Sequence, residues 1–248
     1  YTLWHTLSLH DALPIWVYKG FSETYEKFGL KFDKFYFESD TYKLGRDIIE
    51  KGLEKGVFHR ETADRNSRGN VVFYLPPEKF GTEKDGRPKK VTVLRGDETS
   101  LYMTQDIGTA LVKVSDFNLE RSIYVVGSEQ VYHFQCLFEI LKALGFSWAE
   151  GCFHLSYGMV YLPEGKMKSR EGKIVDADDL IEEIERLAEI EIRKRNIDTP
   201  LSDEEIGRRR SVIAIGAIKY YLLRVRSIQD IHFDPQESIS FDGFTGPY

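Results

Sequence analysis

Lys166-Met167-Lys168-Ser169-Arg170-Glu171, closed by Gly172, brings two ammonium groups, a hydroxyl and a guanidinium within five positions. The run follows the apolar stretch Phe153–Leu162 directly. A cationic loop at the exit of a buried strand suits the holding of a polyphosphate while one of its bonds breaks. A solvated basic turn has the same composition. Its place after a strand, with further polar groups upstream, favours the chemical reading.

Three other groups of residues could cooperate with it. In Tyr102-Met103-Thr104-Gln105-Asp106, a phenol and a carboxylate stand at i and i+4 and share one helical face. A carboxylate accepts two parallel bonds from a guanidinium, and a phenol oxygen adds a third acceptor. Gly127-Ser128-Glu129-Gln130-Val131-Tyr132-His133 follows the apolar run Ile123–Val126. In open α/β sheets, ligands bind beyond the carboxyl ends of strands, where Gln130 and His133 would project from a first helical turn. In His154-Leu155-Ser156-Tyr157-Gly158-Met159-Val160, Gly158 would let a flat ring approach the backbone, and the peptide groups of Met159 and Val160 could bond the edge of adenine. Each group taken alone also fits surface or structural polar residues.

The elements needed to position these residues are legible. The spacing predicts a helix over 39–55, capped by Ser39 or Thr41 and stopped at Gly56. Residues 59–90, rich in Lys, Asp, Gly and Pro, read as a hairpin-like surface insertion around a strand at Val71–Leu75. A strand at Val91–Leu94 precedes a helix over 99–114, and the buried-strand signature Ile123–Val126 precedes a helix over 129–144. Phe153–Leu162 is expected as the next strand. This alternation predicts a parallel sheet with crossover helices. Beyond a boundary near 173–176 the pattern is almost all helical, with Asp176 as one cap and Ser202-Asp203-Glu204-Glu205 in the form of a capping box.

The 248 residues are enough for one large domain or one and part of another. A net charge of −6 argues against wholesale coating of nucleic acid but permits a local basic face. The rows Arg208–Arg210 and Arg224–Arg226 could touch phosphates, although solvated helix faces carry such rows as well. No apolar stretch is long enough to cross a bilayer. Cys136 and Cys152 lack metal-ligand spacing and read as reduced core thiols of a cytoplasmic protein. Thr6–Ile15 looks like one reading frame of a common sequencing adapter, so residues 1–15 are set aside from fold reasoning as an assembly artefact. The natural protein is then expected to extend upstream of Trp16 and beyond Tyr248.

Taken in order, these motifs resemble the class I aminoacyl-tRNA synthetases, specifically the arginyl family, over about residues 16–248. The strongest segments are Ser39–Gly45, Tyr102–Gly108, Tyr124–Phe134, Ser156–Asp179 and Ser240–Tyr248. The resemblance implies the C-terminal part of a Rossmann-type nucleotide-binding catalytic domain over 16–175, then the start of a helical anticodon-binding domain over 176–248. It implies that Tyr102, Asp106 and Gln130 grip the substrate guanidinium, with His133 supporting that pocket. It assigns His154, Gly158, Met159 and Val160 to the nucleotide. Lys168 and Ser169 match the Lys-Ser of the family's Lys-Met-Ser-Lys-Ser signature, and Lys166 and Arg170 complete the catalytic loop.

The implied reaction activates L-arginine with ATP and Mg²⁺ and transfers it to tRNA(Arg), with activation requiring bound tRNA. The parent enzyme is expected to be monomeric and free of membrane. The family's His-x-Gly-His signature is absent, since the histidines stand at 5, 10, 59, 133, 154 and 232. This chain alone is therefore expected to be inactive. The alternative is a binding module for arginine or tRNA that lacks ligase chemistry. A different nucleotidyl transferase is disfavoured, because adenylyl transfer alone needs no guanidinium receptor.

Overall fold

The computed structural model describes residues 9–61, 69–162, 165–166 and 177–240. They form two compact units: an α/β unit over 34–157, and a largely helical unit built from the N-terminal 33 residues and from 158 onward. The expected domain boundary at 173–176 lies outside the described residues.

The α/β unit opens with helix α2, Glu38–Glu54; helix α1, Leu9–Lys27, belongs to the other unit. Its N-cap is Phe37, with no side-chain cap, so neither Ser39 nor Thr41 fills that role. Both lie inside the helix, and the Thr41 hydroxyl instead donates back to the Phe37 carbonyl (3.5 Å). Gly56, at φ +71°, follows the helix as expected.

Three strands then form an antiparallel sheet in the order β1-β2-β3: β1 at His59–Glu61, β2 at Asn70–Tyr74 and β3 at Lys90–Leu94. The four-residue helix α3, Pro77–Phe80, lies between the last two. This hairpin does more than cross the surface. Val71, Phe73, Leu75 and Val93 are buried in one core with Ile49, Phe58 and Ile107. Burying those apolar side chains gives the hairpin a share of the unit's hydrophobic stabilisation.

Helix α4, Tyr102–Phe117, packs on α2 with almost no intervening side chain. A methyl group at Gly45 would stand 2.1 Å from the Thr104 carbonyl oxygen, and one at Gly108 would stand 2.4 Å from that of Thr41. The Thr109 hydroxyl donates to that of Thr41 across the same crossing (3.2 Å).

Strand β4, Ser122–Gly127, leads through a 3-10 turn, Ser128–Gln130, into α5, Val131–Ala143. A second 3-10 turn, Ser147–Gly151, precedes β5, Cys152–Tyr157. β4 and β5 pair in parallel from Ser122↔Cys152 to Gly127↔Tyr157, the strand–helix–strand unit the sequence predicts. α5 buries Phe134, Leu137, Ile140 and Leu141, and the Tyr124 ring packs against Phe134 and Phe138.

The strand pair is covered on that face only. Ile123 and Val125 of β4 and Phe153, Leu155 and Tyr157 of β5 are exposed, with Ile123 at 63% and Phe153 at 57%. The expectation of a buried strand at Ile123–Val126 therefore holds only in part: Tyr124 and Val126 are half-buried against the core, since successive side chains leave opposite faces of a sheet.

In the helical unit, α1 spans Leu9–Lys27 and passes through residue 15 without a break. Thr24 donates to Asp178 (2.9 Å) and Lys27 pairs with the same carboxylate (2.6 Å), which ties α1 to the first turn of α6, Ala177–Arg195. Helix α7, Asp203–Leu223, begins at Ser202, whose hydroxyl accepts from the Glu205 N–H (3.2 Å). α6 and α7 bury Ile181, Ile184, Ala214, Ala217, Ile218 and Tyr221 with Phe233.

The expected single strand Phe153–Leu162 breaks after Tyr157. Its second part, β6 at Val160–Leu162, joins a different sheet of order β7-β6-β8, with β7 at Gly165–Lys166 and β8 at Ile231–His232. The short helix α8, Pro235–Ser238, follows, capped by Asp234.

Candidate active site

The inward face of α4 consists of Met103, Thr104, Ile107, Gly108 and Ala110, all buried. Tyr102 and Asp106 therefore fall on the outward side one turn apart, Tyr102 being 78% exposed. Thr104 anchors the first turn: its hydroxyl accepts from the Leu101 N–H (3.2 Å) and donates to the Val93 carbonyl. The start of α4 is thereby tied to the hairpin sheet.

The Asp106 carboxylate meets His133 of α5, with Nε2 2.6 Å from Oδ2. The side chains are 40% and 23% exposed, respectively. An ionised carboxylate is acceptor-only, so the imidazole supplies the proton from Nε2. Phe134 presents its ring edge-on to His133, at 5.5 Å and 85°. Gln130, the last residue of the turn after β4, lies exposed three positions before His133. Two of the predicted residues are thus in direct contact; Tyr102 stands one turn before Asp106, and Gln130 three residues before His133.

Lys113 is a residue that the sequence reading missed. It lies two helical turns beyond Asp106, and its ammonium sits 3.9 Å from the centroid of the Tyr124 ring. Burial pulls its pKa down, opposed by the nearby Cys152 and Asp106 charges. Burial likewise pushes the Tyr124 phenol up. That hydroxyl lies near Ser122 without reaching hydrogen-bond geometry with any described residue. The i to i+7 interval from Asp106 was the available signal, but in sequence it looks the same as a solvated lysine.

Three of the nucleotide candidates make contacts within the chain. His154, on β5, bonds the Val126 carbonyl through Nε2 (2.9 Å) and packs its ring 4.6 Å from Phe134, so it holds two strands together. Gly158 is buried, and on its Cβ side the chain itself comes close. A methyl group there would stand 2.1 Å from the Gln229 carbonyl oxygen and 2.6 Å from the Asp230 nitrogen. The Met159 peptide groups are also engaged internally. Its N–H donates to Asp230 Oδ1 (2.7 Å), and its carbonyl accepts from the Ile231 N–H (2.8 Å).

Val160 pairs with Ile231 in parallel register. In such a ladder, one strand's residue bonds the neighbours on either side of its opposite number. The N–H and C=O of Val160 therefore point away from β8. Of the predicted backbone contacts to adenine, this pair faces the β7 side of β6, one residue beyond the last described pair there, Tyr161↔Lys166. Lys166 lies in β7, its backbone paired with Tyr161, whereas Lys168, Ser169 and Arg170 lie outside the described residues.

Cys136 and Cys152 are both free, and burial raises both thiol pKa values. No helix among the described residues is long and apolar enough to cross a membrane. In the row Arg208–Arg210 every guanidinium has a carboxylate partner. Glu205 takes Arg208 and Arg209, and Glu189 takes Arg210.

A parallel strand–helix–strand unit with polar groups at the helix start beyond its carboxyl end has the arrangement of an open α/β fold. The family model described as "tRNA synthetases class I (R), catalytic domain" matches residues 22–235. The chain belongs to this arginyl family of class I tRNA synthetases.

It is 50% identical over 242 residues to an arginine–tRNA ligase of Treponema denticola, covering 98% of this chain and 38% of that protein. An arginine–tRNA ligase of Flavobacterium psychrophilum is 46% identical over 243 residues, with coverage of 98% and 38%. The chain thus spans 38% of the length of these curated relatives. Among solved structures, Thermus thermophilus arginyl-tRNA synthetase superposes with a TM-score of 0.72 at 22% identity, covering 92% of this chain and 42% of that one. The Plasmodium falciparum arginyl-tRNA synthetase gives 0.74 at 19% identity, covering 96% and 37%. At these identities the two superpositions speak for the fold.

Proposed function

We propose that this chain is part of an arginine–tRNA ligase and carries its guanidinium-recognition site. The reaction is ATP-dependent formation of arginyl adenylate and transfer of the arginyl group to tRNA(Arg), in the cytoplasm. The observation that supports this reading best is the Asp106–His133 contact. His133 holds Oδ2 in place, which leaves Oδ1 for the substrate. Tyr102 Oη and the Gln130 amide oxygen supply further acceptors for a fork with five donors and no acceptor. Lysine, a compact ammonium with three donors, would leave part of that set unpaired and would be rejected.

ATP would approach the backbone edge of Val160 that faces away from β8, beyond the β6–β7 pairs, and Lys166, Lys168, Ser169 and Arg170 would neutralise its phosphates. Mg²⁺ enters on the triphosphate, the usual way this ion is carried. Among the described residues, no three acidic, His or Cys side chains converge on a metal. The chain's own residues bind, orient and neutralise. The arginine carboxylate attacks the α-phosphorus in line and pyrophosphate leaves; the tRNA ribose hydroxyl then attacks the adenylate and AMP leaves.

The test is arginine-dependent ATP–pyrophosphate exchange, in the presence of tRNA, by the full-length protein that contains this sequence. Asp106→Asn keeps the shape but removes the charge. It should raise the KM for arginine roughly 30- to 150-fold, equivalent to about 2–3 kcal/mol for a partly exposed partner of a charged group. An arginine KM within twofold of wild type would overturn the assignment. Arginine binding by the wild-type protein with no exchange would leave it a binding module.

A further inference from the structure

Residues 227–233 run beside β6 and close one side of its backbone. Gly158 N–H donates to the Ser227 carbonyl (2.7 Å), Ile231 N–H to that of Met159 (2.8 Å), and Phe233 N–H to that of Tyr161 (2.7 Å). One contact in this series comes from a side chain: Asp230 Oδ1 accepts the Met159 N–H at 2.7 Å. Asp230 is itself exposed and packs into no core.

The geometry is specific to Met159. Asp230 fixes the peptide plane before this residue, and Ile231 fixes the plane after it. The second plane carries the Val160 N–H, so with both planes held that N–H has a single direction, away from β8. A carboxylate accepting a backbone N–H makes a charge-assisted bond, stronger than the amide–carbonyl bonds around it. Gly158 allows the close approach, because any side chain there would meet the Gln229 and Asp230 backbone.

We infer that Asp230 is a positioning residue for nucleotide binding: it holds the Met159 amide so that the backbone edge of Val160 facing away from β8, one residue beyond the β6–β7 pairs, is presented in one orientation to the adenine of ATP. This rests on the nucleotide reading proposed above for β6. It gives a role to the segment between α7 and β8, and makes the orientation of β6 depend on the residues that leave α7.

The test uses three variants of the full-length protein and two readouts. In Asp230→Ala, hydrogen exchange at the Met159 amide should accelerate at least about tenfold, and the KM for ATP in pyrophosphate exchange should rise about tenfold, the effect of losing one bond to a charged acceptor. The arginine KM and kcat should change by less than twofold. Asp230→Asn keeps an acceptor oxygen and should recover most of the ATP affinity. Asp230→Glu keeps the charge but moves it past the amide, and should behave like Asp230→Ala, which guards against a folding defect in that variant.

An ATP KM within twofold of wild type in both Asp230→Ala and Asp230→Glu would overturn the proposal, as would a parallel rise in the ATP and arginine KM values. Unchanged amide exchange at Met159 in Asp230→Ala would also overturn it, whatever the kinetics. A wild-type protein with no pyrophosphate exchange would instead refute the ligase reading, and the amide-exchange arm would still report on the brace.

Discussion

Gly45 and Gly108 let α2 and α4 cross with their backbones in contact, so adding one carbon at Gly45 should have a large effect. The new methyl group would lie 2.1 Å from the Thr104 carbonyl oxygen and 2.9 Å from its carbon. Neither atom belongs to a side chain that can rotate away. The helices would have to separate by roughly 1 Å to restore van der Waals contact, loosening Ile49 and Ile107, both fully buried beside the crossing. Overpacking of this kind costs about 3 kcal/mol at its upper range, while alanine is about 1 kcal/mol better than glycine within a helix. Gly45→Ala should therefore lose about 2 kcal/mol net. Gly216, within α7, has no atom within 4 Å of the corresponding position. The same change there should gain about 0.5–1 kcal/mol from helix propensity alone.

Urea denaturation separates these outcomes. Trp148, stacked on Phe146 within the α/β unit, reports on Gly45→Ala once Trp4 and Trp16 are replaced by Phe. Far-UV circular dichroism follows Gly216→Ala. With a slope of about 2 kcal/mol/M, Gly45→Ala should shift the midpoint down by roughly 1 M. If Gly45→Ala were as stable as wild type, or gained stability as Gly216→Ala does, the backbone-to-backbone crossing would be wrong.

Thr104→Val should cost about 1–3 kcal/mol in the same assay, because it strands the buried Val93 carbonyl and removes the acceptor for the Leu101 N–H. Tyr221→Phe should cost about 1–2 kcal/mol, since the nearly buried hydroxyl sits between the His232 carbonyl (2.9 Å) and Glu237 Oε2 (2.8 Å). Arg208 and then Arg209 hold the Glu205 carboxyl down from 4.5 to about 2. A folded-state pKa below the unfolded one gives stability that is present above pH 4.5 and lost as pH falls toward 2. Wild type should therefore lose stability across that window more steeply than Glu205→Gln; parallel acid-unfolding curves would exclude the ion pairs.

Local chemistry explains what could be read in advance. The helices at 39–55, 99–114 and 129–144 were visible because their apolar periodicity and following glycines are local signals, and α2, α4 and α5 fall within a few residues of those limits. Tyr102 and Asp106 were legible as a pair because helical spacing alone puts them on one face. Other features depend on partners far along the chain. Nothing within Phe153–Leu162 shows that β6 will pair with residues 231–232, which is why the run looked like one strand. The same long-range contact gives Gly158 a role invisible in the sequence, making space for the Gln229 backbone. His154 has the composition of a ligand contact but bonds a carbonyl 28 residues away. Lys113 has no local signature, since its environment comes from β4 and β5.

Leaving one face of the β4–β5 pair open has a practical consequence for anyone who isolates this polypeptide. Ile123, Val125, Phe153, Leu155 and Tyr157 present a contiguous greasy surface to solvent, of the kind that recruits fluorescent apolar dyes and other protein molecules. Because the contact is apolar, raising sulfate or phosphate should strengthen such clumping where it would weaken an ion-paired one. Dilute, low-salt handling, or a mild detergent that coats the strands, should keep the material monodisperse.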